Sequence, residues 1–342
     1  MSFSDLKPPA EGSWLEYADD RRRLLLYGGP ITDPLGTLSD EGWPEFELIS
    51  TRRALADAPG LGEGADRTHL VPADPVPEAS AAIVDDVGSD RIVALGGGRV
   101  IDSAKGIAAV SGGEVAAIPT TLSGAPMTAI HRLPAGREAA AGVRPSLVIA
   151  YAAAMTSAPE AQLRATAMNA LAHGAESLYT PLADKTSREA ALRGAEMLAE
   201  ALDQRPEKRD RAALALGAML CAIAVDRAGI ALHHVLGQTT VRVLGTPHAE
   251  TYAALLPETM EAMRGRAPEQ IEALASALGT DPQGVRARIA ELAGHRHLGE
   301  LGANRNRFKE VVEVAMARPE LTHMTPGEVG PEDLAAILQA AW

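Results

Sequence analysis

The 342-residue chain contains a single cysteine, Cys221. That excludes an intrachain disulfide and a cysteine-rich zinc site, and it suits a reducing compartment such as the cytoplasm. Cations are also short: 32 Lys and Arg face 45 Asp and Glu, a formal net charge of −13. An acidic surface of this kind argues against nucleic acid or an anionic membrane as the main partner, while a local basic pocket for a small anion stays open. Long hydrophobic runs are missing. The most apolar stretch, 212–225, falls short of the roughly 20 residues a membrane helix needs and is followed at once by Asp226 and Arg227, so it reads as a buried helix. Residues 1–23 carry Pro8, Pro9 and several acids and no apolar segment of the kind a secretory signal requires. The chain also has no G-x-S-x-G elbow, P-loop, H-E-x-x-H motif or internal repeat.

What is present is ordinary globular composition, 46% hydrophobic and 23% charged, in a length that suits about two domains. The first part alternates short apolar runs with turn signals. RLLLY (23–27), FELIS (46–50), THLV (68–71), RIVAL (91–95) and EVAAI (114–118) read as strands, with helices near 78–86 and 100–110. Such alternation predicts a parallel sheet covered by helices. After Pro159 the texture turns to Ala- and Leu-rich helical segments near 161–178, 187–202, 209–225, 268–278 and 331–341. We therefore expect an α/β domain over 1–154 and an all-α domain over 155–342, with a ligand cleft between them.

Three stretches carry chemistry. RIVALGGGRVIDSAK (91–105) runs a strand through Gly96, Gly97 and Gly98 into a helix. Glycines allow close backbone approach to a phosphate, and the helix N-terminus supplies free N–H groups, although a plain tight turn would look the same. IPTTLSGAPMT (118–128) sets Thr120, Thr121 and Ser123 in a Gly/Pro-rich loop after a strand, fit for a second phosphate or a ribose, or for a surface turn. MNALAHGAESLY (168–179) places Asn169 and His173 four apart on one helix face. His233, His234 and His248 form a further group. Adjacent helical residues diverge by about 100°, so only one of His233 and His234 should face a cleft. Converging histidines could hold a divalent metal or donate protons; taken singly, each is a packed or surface histidine. His69, His131, His295, His297 and His323 lack such context.

Taken together, these motifs resemble the iron-containing alcohol dehydrogenase superfamily, which shares its fold with dehydroquinate synthase. GGGRVIDSAK is similar to its GGGS-x-x-D-x-x-K phosphate loop, IPTTLSGAPMT to its second cofactor loop, and NALAHGAES to its D-A-x-x-H-x-x-E helix. His234 and His248 stand fourteen apart, as do its last two metal-ligand histidines. Within the superfamily, Met168-Asn169-Ala170, LHH at 232–234, PHAET at 247–251 and the tail TPGEVGPEDLAAILQAAW resemble maleylacetate reductases. The resemblance implies an N-terminal α/β dinucleotide-binding domain and a helical C-terminal domain. It also implies a homodimer, for which the strand near Leu24 is taken as an exposed pairing edge. The activity implied is an NAD(P)H-dependent reductase converting maleylacetate to 3-oxoadipate in aromatic compound degradation. A diverged relative acting on another carbonyl substrate, and a non-redox protein on the same scaffold, are the alternatives.

Carried over position by position, the resemblance assigns Gly97, Gly98, Asp102, Thr120, Thr121 and, less closely, Ser123 to the cofactor. It assigns His173, His234 and His248 to catalysis, with His248 beside the nicotinamide. Several positions depart from the family pattern. Asn169 replaces the carboxylate of the first metal position, so no required metal is expected. Arg99 follows the glycines, where it could contact a pyrophosphate or reach solvent. Ala125-Pro126 replaces a Ser-Glu pair, and Tyr151 replaces an Asp. Val235 and Gln238 replace a lysine and a histidine, so Asn169 and Gln238, with Arg132 from the shortened 128–145 loop, are the expected substrate contacts. Thr51 and Arg52 end the second parallel strand. An arginine there favours a 2′-phosphate and hence NADPH, whereas two solvated arginines opening a helix would leave NADH equally suited.

Overall fold

The computed structural model describes residues 3–139 and 141–342. The chain forms two compact units, one of residues 7–158 and one of 159–342 joined by the N-terminal Phe3–Leu6. The division thus lies just beyond the boundary read from the sequence, and the N-terminal turn belongs with the helical unit.

The α/β unit is built on one seven-stranded sheet in the order β1-β2-β7-β6-β5-β3-β4. The strands are β1 (Trp14–Ala18), β2 (Arg23–Tyr27), β3 (Glu47–Ser50), β4 (Arg67–Leu70), β5 (Arg91–Gly96), β6 (Glu114–Pro119) and β7 (Leu147–Tyr151). All pairings are parallel except β1 with β2. A parallel strand covered on both faces needs a continuous apolar run. The central strands supply one: Leu48, Val93, Leu95, Ile118 and Ile149 pack on one face. Ile49, Ile92, Ala94, Val115 and Ala117 pack on the other, with Val100, Ile101 and Ala104 of the following helix.

The strand near Leu24 is not an exposed edge. β2 lies between β1 and β7, and Leu24 is 1% exposed. The edge on this side is β1, a strand with no apolar run to announce it, whose residues alternate between exposed and half-buried. Tyr151, at the end of β7, is wholly buried and donates its hydroxyl to the Thr32 carbonyl at 3.0 Å. Burial pushes this phenol up to about 12.

A helix, Gly98–Ser111, follows β5. Lys105 in its second turn is completely buried. Its Nζ donates to the carbonyls of Ala125 (2.9 Å), Thr128 (3.1 Å) and Ile130 (2.7 Å) and pairs with Asp102 at 2.8 Å. The buried Arg22 donates to the carbonyl of Met127 in the same loop. Two buried cations therefore gather the loop after β6, whose carbonyls no sheet or helix could satisfy.

The helical unit centres on Arg211–Ala228, buried along nearly its whole length. It packs against Glu160–Ser177 and Lys185–Asp203 at small residues: a Cβ at Gly194 or Gly174 would lie 2.6 or 2.8 Å from the Cys221 sulfur. Burial pushes the Cys221 thiol up to about 12. Gly229 ends this helix at φ +76°, and Leu232–Leu244 and His248–Arg264 follow. Among the described residues, no single helix is long and apolar enough to cross a membrane.

Replacing Lys105 by Met removes the shared donor and leaves the carbonyls of Ala125, Thr128 and Ile130, the first two in buried contacts, without it. We expect a loss of about 3 kcal/mol in the α/β unit, seen as an earlier urea transition of that unit, together with faster hydrogen exchange at residues 122–130.

Candidate active site

In the α/β unit the site begins where β5 ends. Gly96 adopts φ +156°, and a Cβ there would strike Val100 at 2.7 Å, so the turn requires glycine. Gly97 and Gly98 face the second loop at close quarters. A Cβ on Gly97 would meet Thr121 at 3.1 Å, and one on Gly98 would meet the Ser123 hydroxyl at 2.9 Å. No side chain caps the helix that Gly97 opens, and the Ser123 Oγ is buried without a hydrogen-bond partner. The Thr120 N–H is tied to the Gly96 carbonyl at 3.0 Å. The glycine turn and the Thr120–Ser123 loop therefore form one cradle, a bare helix N-terminus beside hydroxyls, which is the chemistry that receives a phosphate.

The neighbouring candidates lie differently. Asp102 faces Lys105. Arg99 donates from Nη1 to the carbonyls of Pro72 and Asp74 and is half-buried rather than stretched into solvent. Thr51 caps the short helix Arg52–Asp57, accepting from the Ala54 N–H, and Arg52 is exposed. Arg132 is exposed too, in a stretch whose backbone Lys105 holds at Ile130.

In the helical unit, three helices each present two polar rings or amides one turn apart, the i, i+4 spacing that puts both on one face. Glu160–Ser177 carries Asn169 and His173, Leu232–Leu244 carries His234 and Gln238, and His248–Arg264 carries His248 and Tyr252. The His173 and His234 rings stack with centroids 4.6 Å apart. Tyr252 lies 5.1 Å from His234 and 4.4 Å from His248.

Beneath them sits Glu176, fully buried. Its carboxylate accepts from the backbone N–H of His233 (2.6 Å), Ala231 (3.2 Å) and His234 (3.3 Å), from the His234 Nδ1 at 2.5 Å, and from the Tyr179 hydroxyl at 3.3 Å. The carboxylate fixes the Nδ1 proton of His234, so the Nε2 of that ring is what remains for a ligand. That Nε2, the His173 Nδ1 and the Asn169 Oδ1 are buried and lack a hydrogen-bond partner. Buried polar atoms without partners are rare in native proteins, and three in one place mark a ligand site.

His233 and His234 diverge, their planes 80° apart. His233 turns into the bundle, where its Nδ1 meets the Thr259 hydroxyl at 2.9 Å. The Thr259 hydroxyl also lies within hydrogen-bond distance of the Leu255 and Leu256 carbonyls, and the His233 Nε2 is buried without a hydrogen-bond partner. Burial first, and then the neighbouring histidines, hold His173 and His233 well below the ordinary value of 6.5. Two groups of this site escaped the sequence reading of single motifs, Glu176 and Tyr252. Glu176 stands in the motif as quoted, three residues after His173, and Tyr252 one turn after His248. Arg318 escaped as well, and no spacing connects it to Gln238, whose Oε1 accepts from it at 3.2 Å. The remaining histidines are varied: His69 forms a buried pair with Glu47 at 2.6 Å.

Comparison with known proteins gives the family. Residues 66–152 match the iron-containing alcohol dehydrogenase family, and residues 164–342 match the C-terminal region of the Fe-containing alcohol dehydrogenase family. The chain belongs to the iron-containing alcohol dehydrogenase family. It is an oxidoreductase. Maleylacetate reductase of Rhizobium sp. strain MTP-10005 is 30% identical over 97% of this chain and 93% of that protein. Maleylacetate reductase 1 of Rhodococcus opacus is 30% identical over 74% of this chain and 73% of its own length. The crystal structure of maleylacetate reductase from Agrobacterium tumefaciens superposes with a TM-score of 0.82 at 26% identity, covering 96% of this chain and 98% of that one.

Iron-containing alcohol dehydrogenases use NAD(P), and the cradle fits it: the Cβ-excluding glycines, the uncapped helix and the unpartnered Ser123 hydroxyl all suit a pyrophosphate. The iron of the family name fits less well. The donors that converge are an amide and imidazoles, with Glu176 already engaged by His234 and backbone N–H groups. Among the described residues no group of three or more His, Cys, Asp or Glu side chains is placed to hold a metal. An iron site built only of neutral donors would lack the carboxylate such sites favour.

The buried neutral histidines set a pH dependence. Unfolded histidine takes up a proton near 6.5, whereas His173 and His233 resist doing so when folded, so stability is full above 6.5 and falls as the pH drops below it. Each contributes up to about 1.4 kcal/mol per pH unit. Thermal unfolding between pH 7 and 5 should show this decline, and His233→Gln should make it shallower by about half, His173 supplying the rest.

Proposed function

We propose that this protein is an NAD(P)H-dependent reductase of the maleylacetate reductase type, acting on a carbonyl-bearing small molecule. The observation that supports it is the convergence of the buried, unpartnered atoms of Asn169, His173 and His234 in a chain that matches maleylacetate reductase over nearly its full length. The cofactor residues in this reading are Gly97, Gly98, Thr120, Thr121 and Ser123, with Asp102, Thr51, Arg52 and Arg99 at the margin.

When bound, NAD(P)H supplies a hydride to the acceptor carbon. The chain supplies the rest. As the imidazolium ion paired through Nδ1 with the Glu176 carboxylate, His234 donates its Nε2 N–H to the substrate oxygen, polarises it and gives up that proton as the hydride adds, leaving the neutral Nδ1–H ring. Asn169 and His173 bind and orient the same oxygen or an adjoining carboxylate, and His248 is the residue that the family resemblance assigns to the nicotinamide. Arg132 and Gln238 are candidate contacts to the far end of the substrate. The chemistry of these residues needs no metal.

Val235 is wholly buried and offers nothing polar to a substrate, which favours a second substrate assignment, a less charged keto acid on the same chemistry. The reading carries with it a homodimer, a cytoplasmic location and a place in aromatic compound degradation.

Calorimetric titration with NADPH and with NADH, followed by assay with maleylacetate and simpler keto acids, tests the reading. Micromolar binding of one dinucleotide and saturable oxidation with maleylacetate are expected; binding of neither would overturn it. Glu176→Gln should lower kcat about 100-fold without a comparable change in dinucleotide affinity.

A further inference from the structure

Arg318 stands at the junction of the helices Phe308–Met316 and Pro319–Met324. Its Nε and Nη2 donate to Glu320 at 3.1 and 2.8 Å, and its Nη1 donates to Gln238 Oε1 at 3.2 Å. Guanidinium has donors and no acceptor, so the Gln238 oxygen must face it and the two Nε2 N–H groups must face elsewhere. Gln238 lies one turn from His234 on the same helix, and the field on Arg318 includes Tyr252, whose ring lies between those of His234 and His248. The side chain of Arg318 remains about a quarter exposed, at 26%.

We propose that Arg318 and Gln238 together form the carboxylate-recognition point of the site, with Arg318 the specificity-determining residue. The proposal rests on the reading of the histidine cluster as the substrate end. Gln238 presents amide N–H donors fixed by Arg318, and Arg318 retains N–H groups that neither Gln238 nor Glu320 takes. Adjacent donors on a rigid fork match the two oxygens of a carboxylate. Gln238 has no charge of its own, so the cation is supplied from another helix junction altogether. Glu320 holds the fork in place and also competes with the ligand for its charge.

That competition gives the test its direction. Adipate, a six-carbon dicarboxylate without a reducible group, is titrated calorimetrically into the full-length protein and into the variants Arg318→Met, Arg318→Lys and Glu320→Gln, with dimethyl adipate as the uncharged control. Adipate should bind the unaltered protein. Its affinity should fall roughly tenfold or more in Arg318→Met, fall less in Arg318→Lys, and rise severalfold in Glu320→Gln, while dimethyl adipate shows none of these changes. A merely structural role predicts that Glu320→Gln weakens adipate as Arg318→Met does, and that result overturns the proposal. So does an unaltered protein that ignores adipate, or an Arg318→Met variant that binds it within twofold of the original. No step depends on turnover, so failure of the reductase assay and failure of this proposal are read separately. Thermal unfolding of each variant confirms that it is folded.

Discussion

A carboxylate with no water around it must find donors or lose its charge. Glu176 meets that demand with three backbone N–H groups from residues 231–234, and much of the helical unit's chemistry follows from it. The same hydrogen bonds anchor the first turn of the Leu232–Leu244 helix, where negative charge is favoured by the helix dipole. They tie that turn to the helix carrying Asn169 and His173. They also fix the tautomer of His234 and turn its ring onto His173, leaving His233 to find Thr259 in the bundle. One side chain therefore sets the start of a helix, the contact between two helices and the proton inventory of the site.

The α/β unit solves the converse problem. Lys105 is a buried ammonium fed by carbonyls, where Glu176 is a buried carboxylate fed by N–H groups. Each converts the unmet hydrogen-bonding capacity of nearby backbone into fixed geometry: Lys105 holds the loop after β6, and with it the hydroxyls that face Gly97 and Gly98. Buried charge of this kind adds little to stability when compared with a well-packed apolar core. Its effect is to specify a single arrangement of a segment that has no regular structure of its own.

Much of the fold was legible because its signals are local. β5 runs straight from apolar residues into glycine, and the segments near 161–178 and 187–202 repeat apolar residues at helical spacing; each lies within a residue or two of the observed element. β1 was missed because an edge strand with one covered face has no continuous apolar run, and β7 because LVIAY is a short apolar run that helical and strand readings share. The strand at Leu24 was recognised, but its place inside the sheet was not, since nothing in RLLLY tells that Trp14–Ala18 will lie beside it. In the site, Asn169 with His173 and the divergence of His233 from His234 follow from helix geometry alone. The Glu176 bridge spans more than fifty residues, and the link from Arg318 to Gln238 spans eighty. Such contacts depend on how helices pack, a property that local spacing does not carry.

The three residue pairs around the histidine cluster sit in or at the start of helices packed against one another, whereas Arg318 sits at a junction between two short ones. Sequence drift therefore meets unequal resistance. A change at His173 or His234 disturbs a packed bundle, whereas Arg318 lies on a partly exposed turn between two short helices. On the proposal made above, the 317–320 turn is the natural starting point for redirecting this chain to a new substrate.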